Sequence, residues 1–152
     1  MEVKYPLEKV FNNITPFLKE KSSFAEVNPV PPEDYFESLE SFEILVVGAG
    51  GLGCELVKNL ALSGIRQIHL IDMDTIDLTN LNRQFLFRKK DIGKYKADVV
   101  AEFVMKRCVG VNIKTYKKRV QEFSKDFYEQ FSIIVGGLDN VEARKFLNNM
   151  VH

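Results

Sequence analysis

A run of strand-forming residues, Phe42-Glu43-Ile44-Leu45-Val46-Val47, passes directly into glycines at Gly48, Gly50, Gly51 and Gly53, and a helical pattern starts at Leu52. That succession is the strand, tight turn and helix of a nucleotide-binding crossover, and it leaves few folds open. The glycines have separate physical roles: Gly48 permits the sharp turn, Gly50 lets backbone approach a phosphate, and Gly53 lets the helix pack close to the strand. The first turn of the helix then offers unpaired N–H groups and partial positive charge to an anion. Alone, such spacing is a weak signal. It gains weight from an acidic residue about twenty positions downstream, where the motif requires one; here that residue is Asp72.

The remaining chain follows the same alternation. Leu52, Leu56, Leu60 and Ala61 form a helical stripe that ends at Ser63-Gly64, and Gln67 to Asp72 reads as a second strand. Strand, helix and strand within about thirty residues require a parallel, right-handed crossover. The segment from Asp74 to Gly93 is polar and too long for an ordinary connection, which marks it as functional. From Lys94, the residues Ala97, Val100, Ala101, Val104, Met105 and Cys108 trace a helical face closed by Gly110. Val111 to Tyr116 is a third strand, Ser124 opens a short helix to Gln130, and Ser132 to Val135 is a fourth strand ending in Gly136-Gly137. Asp139 or Asn140 caps a last helix with the stripe Ala143, Phe146, Leu147 and Met150. The expected fold is a Rossmann-like, doubly wound α/β unit with a mostly parallel sheet in the order 3-2-1-4. Ahead of it, Leu7, Val10, Phe11 and Ile14 predict an amphipathic helix broken at Pro16, and Pro32 starts a second short helix after the Pro29–Pro31 loop. Residues 1–41 therefore read as a helical appendage and residues 42–152 as the nucleotide-binding domain. The chain stops before the second half that such folds carry, so a partial domain is expected, with the fourth strand left as an edge.

Composition narrows the function. In 152 residues, 45% are hydrophobic and 28% charged, and 21 Lys and Arg balance 21 Asp and Glu. No net field points to nucleic acid or a membrane surface. No apolar run reaches the eighteen or so residues of a membrane span, and the charged N-terminus is unlike a secretory signal, so a cytoplasmic or nuclear protein is expected. Cys54 and Cys108 sit among apolar residues at helical spacing, as buried thiols do.

Asp72 is placed to accept hydrogen bonds from a ribose, or alternatively only caps the turn after its strand. Asp74 and Asp77 follow closely, and three carboxylates so near together are a second, weaker candidate for a divalent cation. The run Asn80-Leu81-Asn82-Arg83-Gln84, with Lys96 opening the next helix, sets this chain apart from an ordinary dinucleotide-binding domain. Two cations and amides converging on a glycine-rich helix N-terminus suit a ligand with more charge than a pyrophosphate bridge, namely a triphosphate. The competing reading is that Arg83 and Lys96 are solvated surface charges. Asp139, after the fourth strand, lies on the same sheet edge as the glycine loop and Asp72. It is a candidate for magnesium bridging phosphate oxygens, or else a helix cap.

Taken together and in order, Gly48-Ala49-Gly50-Gly51-Leu52-Gly53, Ile71 to Asp77, Asn80 to Gln84, Lys96 and Gly137-Leu138-Asp139-Asn140 resemble the adenylation domain of the activating enzymes for ubiquitin and ubiquitin-like proteins. The broader superfamily includes the bacterial sulfur-carrier adenylyltransferases. Asp72 to Phe103, with Phe85-Leu86-Phe87-Arg88 and Asp91-Ile92-Gly93, most resembles the catalytic subunit of the neddylation branch. The resemblance implies that Gly48, Gly50, Gly51, Gly53, Asp72 and Asp74 bind ATP, with Asp72 on the ribose. Asn80, Arg83, Gln84 and Lys96 would surround the phosphates and Asp139 would coordinate magnesium, so Arg83, Lys96 and Asp139 would carry the catalytic work. It implies attack of the modifier's C-terminal carboxylate on the α-phosphate, a step that needs alignment and charge neutralisation rather than a base. It also implies three protein partners: the ubiquitin-like modifier, a second adenylation-fold subunit, and an E2 conjugating enzyme reached through regions absent from this chain. The catalytic-cysteine domain and the Cys-X-X-Cys zinc ligands are absent as well, so neither Cys54 nor Cys108 is expected to be the thioester nucleophile, and the chain by itself is expected to bind ATP at best. Two alternatives stay open: an NAD-binding module of a dehydrogenase, and a non-catalytic partner subunit of an activating enzyme.

Overall fold

A computed structural model describes residues 38–151. The N-terminal helix expected on Leu7, Val10, Phe11 and Ile14, its break at Pro16 and the helix start at Pro32 lie outside the described residues. The description begins with a helical turn at 38–41, closed by Phe42 N–H donating to Ser38 O at 3.1 Å.

Four strands, β1 (Glu43–Val47), β2 (Gln67–Ile71), β3 (Asn112–Tyr116) and β4 (Ile133–Gly136), form one parallel sheet in the order β3-β2-β1-β4, as expected. Beyond the turn at 38–41, four helices accompany them among the described residues: α1 (Gly51–Leu62), α2 (Lys96–Met105), α3 (Lys125–Glu129) and α4 (Val141–Val151). β1 is the spine. It pairs on both edges, and Ile44, Leu45, Val46 and Val47 are each no more than 1% exposed. A strand covered on both faces has no polar side to alternate with, which is why residues 44–47 are an unbroken apolar run. Its side chains still point alternately. Ile44 and Val46 join Val57 and Ala61 of α1 and Val100 and Val104 of α2, while Leu45 and Val47 join Tyr128, Phe131 and Leu147 on the other face.

The register decides where a ligand can sit. Val47 pairs with Ile71 and with Gly136, and Ile71 pairs with Tyr116, so the strands end in step. Gly48, Asp72, Lys117 and Gly137 therefore leave the sheet side by side at its carboxyl edge, where open α/β sheets bind their ligands. The turn after β1 depends on two glycines. Gly48 has φ +102°, and a Cβ there would also lie 2.8 Å from Gly137 O. Gly53 faces a harder limit, since a Cβ would fall 1.8 Å from Gly48 O. The first turn of α1 is seated directly on backbone.

Seating α1 in that way turns its apolar stripe from the expected line. Gly53, Cys54, Val57 and Ala61 face the core, Leu56 and Leu60 pack at its margin, and Leu52 is 59% exposed at the rim. The segment 74–93, expected as a long loop, has structure of its own. It contains 3-10 turns at Leu78–Asn82 and Lys89–Asp91 and an antiparallel bridge between Thr75 and Tyr95, and it inserts Ile76 and Phe87 into the core. Polar capping holds these turns: Asp77 accepts from Thr79 N–H while Asn80 accepts from Asp77 N–H, and Asp91 accepts from Arg88 N–H. With Tyr95 in the bridge, α2 begins at Lys96, as expected.

Two outcomes follow for stability. Gly53→Ala is expected to cost about 3 kcal/mol or more in urea unfolding, because backbone rather than a flexible side chain must yield; a loss within about 0.5 kcal/mol, the range of neutral surface changes, would refute the seating described. At Asp91, burial raises the carboxyl pKa, but the hydrogen bonds from Lys94 and from the Arg88 backbone outweigh it and the pKa falls below the ordinary value. A depressed folded pKa stabilises above the unfolded pKa and ceases to do so as pH falls through the folded one. Asp91→Asn should therefore unfold earlier than the parent at pH 7, with the gap closing as the carboxylate protonates; a pH-independent gap would contradict this assignment.

Candidate functional site

The carboxyl edge opens into a cleft of about 1090 Å³. Its floor is the glycine loop. Gly50 is the N-cap of α1 and brings no side chain to the cap, and the first turn carries no acidic residue, so the leading N–H groups keep their partial positive charge for a ligand. A Cβ at Gly50 would meet nothing within 4 Å, so the protein's own packing does not demand glycine there. The space it leaves belongs to the cleft.

Asp72 follows β2 and ties the loop in place. Its Oδ2 accepts from Ala49 N–H at 2.6 Å and its Oδ1 from Asp74 N–H at 2.8 Å. Burial raises its pKa above the ordinary carboxylate value, against the pull of those two hydrogen bonds and of Lys96. Asp72 thus does act as a turn cap, yet it also lines the cleft with lone pairs to spare. Asp74 lines the cleft as well, with its side chain turned to Lys96. Its Oδ2 accepts from Lys96 Nζ at 2.9 Å and its carbonyl accepts from Lys96 N–H at 2.9 Å. One residue holds Lys96 by main chain and side chain together. Lys96 itself is 7% exposed, which disposes of the solvated-surface reading for this cation.

Asn80 and Gln84 are buried beside it, and both line the cleft. Gln84 Oε1 has no hydrogen-bond partner, an orphaned polar atom of the kind a ligand resolves. Arg83 is exposed at the rim and donates to Thr79 O at 3.0 Å and Asn82 Oδ1 at 3.3 Å. The glycines at 48, 50 and 51 also border the cleft, whereas Gly53 lies beneath it in the helix–strand contact. The three-carboxylate cation site is not assembled: Asp77 is spent on its 3-10 turn, and among the described residues no cluster of three metal-binding side chains occurs. Asp139 lines the cleft from beyond β4. The cap of α4 is Asn140, whose Oδ1 accepts from Glu142 N–H at 2.8 Å and Ala143 N–H at 3.2 Å, so the alternative role for Asp139 falls away. Cys54 is shut beneath the loop; burial, then the charge of Asp72, pushes its thiol up to about 12.

The cleft has a wall that sequence reasoning passed over. Lys118, Arg119, Val120 and Gln121 follow β3, and Arg144 of α4 donates from Nε to Leu138 O at 2.6 Å. The signal was present: Lys117-Lys118-Arg119 is a basic run directly after a strand whose carboxyl end faces the site.

Known proteins resemble this chain in sequence and in fold. Of the curated relatives, the NEDD8-activating enzyme E1 catalytic subunit of Dictyostelium discoideum is 48% identical over 95% of this chain, and that of Caenorhabditis elegans is 56% identical over 80%. The chain spans only about a third of their lengths, 32% and 28%. Among solved structures, Escherichia coli MccB crystallised with ATP is 29% identical with a TM-score of 0.66, covering 95% of this chain and 48% of that one. The ThiF family profile matches residues 23–152, and the chain belongs to the ThiF family.

Proposed function

We propose that this chain forms the ATP-binding part of an activating enzyme that adenylates the C-terminus of a ubiquitin-like modifier, in the neddylation pathway. The observation that carries the reading is the meeting, in one cleft, of an uncapped helix N-terminus, a buried lysine held by the Asp74 carboxylate and an aspartate, Asp139, just beyond the far strand. An NAD module has no use for the last two. The names of the relatives supply the pathway, and the MccB structure supplies a nucleotide of the right charge.

The strand order supports one direction for the nucleotide. Phosphates belong at the α1 N-terminus with Lys96, Asn80, Arg83 and Gln84 around them, and the ribose belongs on Asp72 at the end of β2. The base then extends toward the turn after β3, the next strand along. Asp139 suits magnesium, a hard cation that takes one or two carboxylates with phosphate oxygens and water, and bound there it would offset phosphate charge. The modifier's carboxylate oxygen bonds to the α-phosphorus while that phosphorus releases pyrophosphate, giving an acyl-adenylate. No proton moves, so the residues act by alignment and charge. Asp74 serves this chemistry through Lys96. The thiol of Cys54, buried and protonated, is not the acceptor of the adenylate. The whole enzyme works with a second adenylation-fold subunit and passes the modifier to an E2 conjugating enzyme, in the cytoplasm or nucleus; no helix among the described residues is long and apolar enough to cross a membrane.

Thermal unfolding with added nucleotide tests the reading. ATP with magnesium should raise the midpoint, Lys96→Ala should weaken that rise at least about tenfold in apparent affinity, and NAD should do nothing. A shift with NAD alone would overturn the assignment. The Lys96–Asp74 pair makes a separate prediction in the absence of ligand. Asp74→Ala strands a buried ammonium, whereas Lys96→Met leaves an exposed carboxylate, so the first should destabilise more than the second; the reverse order would show that Asp74 does not hold Lys96.

A further inference from the structure

The wall of the cleft after β3 is carried by a short 3-10 turn, Val120–Glu122, and the question is what keeps that turn in place. The bond that closes it at its end, from Phe123 N–H to Val120 O, is long at 3.5 Å. A second donor reaches the same oxygen from another element. Tyr128, in α3, is 2% exposed, and its hydroxyl donates to Val120 O at 2.5 Å. The ring is gripped edge-on by Phe123 at 6.4 Å and Phe127 at 5.4 Å between centroids, so the hydroxyl has little freedom to move away. Burial also pushes its pKa up to about 12, which keeps it a donor at any physiological pH. From the other side, exposed Glu122 accepts from Arg119 N–H at 2.7 Å. Both tethers converge on the turn that presents Arg119, Val120 and Gln121 to the cleft.

We propose that Tyr128 is a positioning residue for nucleotide selectivity: through Val120 O it fixes the turn against which the base of the bound nucleotide rests. The proposal rests on the nucleotide reading above, because it is the direction of that ligand from α1 across Asp72 that brings its base to this turn. Tyr128 touches no ligand. A phosphate chain without a base lies at the other end of the cleft and is indifferent to it.

The test compares a ligand that has a base with one that lacks it. Binding of ATP and of inorganic tripolyphosphate, each with magnesium, is measured by calorimetry on the whole chain as wild type, Tyr128→Phe and Glu122→Ala. Tyr128→Phe keeps the ring and removes one hydrogen bond; Glu122→Ala loosens the same turn from the solvent side, where folding is not at risk. Each variant should weaken ATP about five- to tenfold and leave tripolyphosphate within about twofold of wild type. Equal losses for both ligands would mean that Tyr128 supports the fold in general, and unchanged ATP binding in both variants would mean that the turn does not meet the base; either result overturns the proposal. Failure of the wild type to bind ATP at all is a different result, which removes the nucleotide reading and this proposal with it.

Discussion

The contact between Gly53 and the carbonyl of Gly48 is the constraint on which the rest depends. A Cβ at either position runs into backbone. With only hydrogens there, α1 can start within one turn of the end of β1 and aim its N-terminus at the point where the chain leaves the sheet. Every other part of the cleft is measured from that point. Gly137 N–H donates to Val47 O at 2.8 Å, Gly48 N–H donates to Ile71 O at 2.8 Å, and Asp72 N–H donates to Tyr116 O at 3.0 Å. The loops that follow the four strands are thereby linked to one another across the edge of the sheet.

On that scaffold two of the cleft's charges are held in place by the protein itself. Asp72 spends both carboxylate oxygens on backbone N–H groups and remains in the cleft; Lys96 is buried and held by Asp74 at two points. Buried ions cost the fold unless paired, and these are paired within the site itself. Around them Arg83, Lys118, Arg119 and Asp139 are exposed at the cleft, and the N-terminus of α1 carries no side-chain cap. An uncapped helix N-terminus with cations around it favours an anion, and groups already held in place need little reorganisation to meet one.

The segment between β2 and α2 shows how a polar loop becomes part of the scaffold. Its capping residues Asp77, Asn80, Arg88 and Asp91 satisfy its own backbone, which lets Ile76 and Phe87 enter the core without stranding polar groups. Asn80 and Gln84 are carried into the cleft by turns that cap their own backbone. The β3–α3 connection reaches a similar end by different means, with an aromatic cluster of Tyr116, Phe123, Phe127 and Tyr128 beneath it.

Sequence by itself determined the elements, their parallel pairing and the strand order, because the glycine spacing, the strand–helix alternation and the handedness of crossovers admit little else. It also singled out Asp72, Lys96, Gln84 and Asp139, since residues placed after strands of a parallel sheet share one edge. Local pattern was silent on whatever depends on contact between distant segments. Leu52 carries the right period but lies at the rim, because the seating of Gly53 rotates the helix. Asp74 has the same chemistry as Asp72, yet packing turns its carboxylate toward Lys96, 22 positions away. Asn140 rather than Asp139 takes the cap of α4, a choice made by loop geometry. The basic run after β3 is legible in the sequence, but the tyrosine over its turn is brought there only when α3 packs: a buried hydroxyl needs a partner, and its partner is chosen by tertiary packing rather than by sequence neighbours.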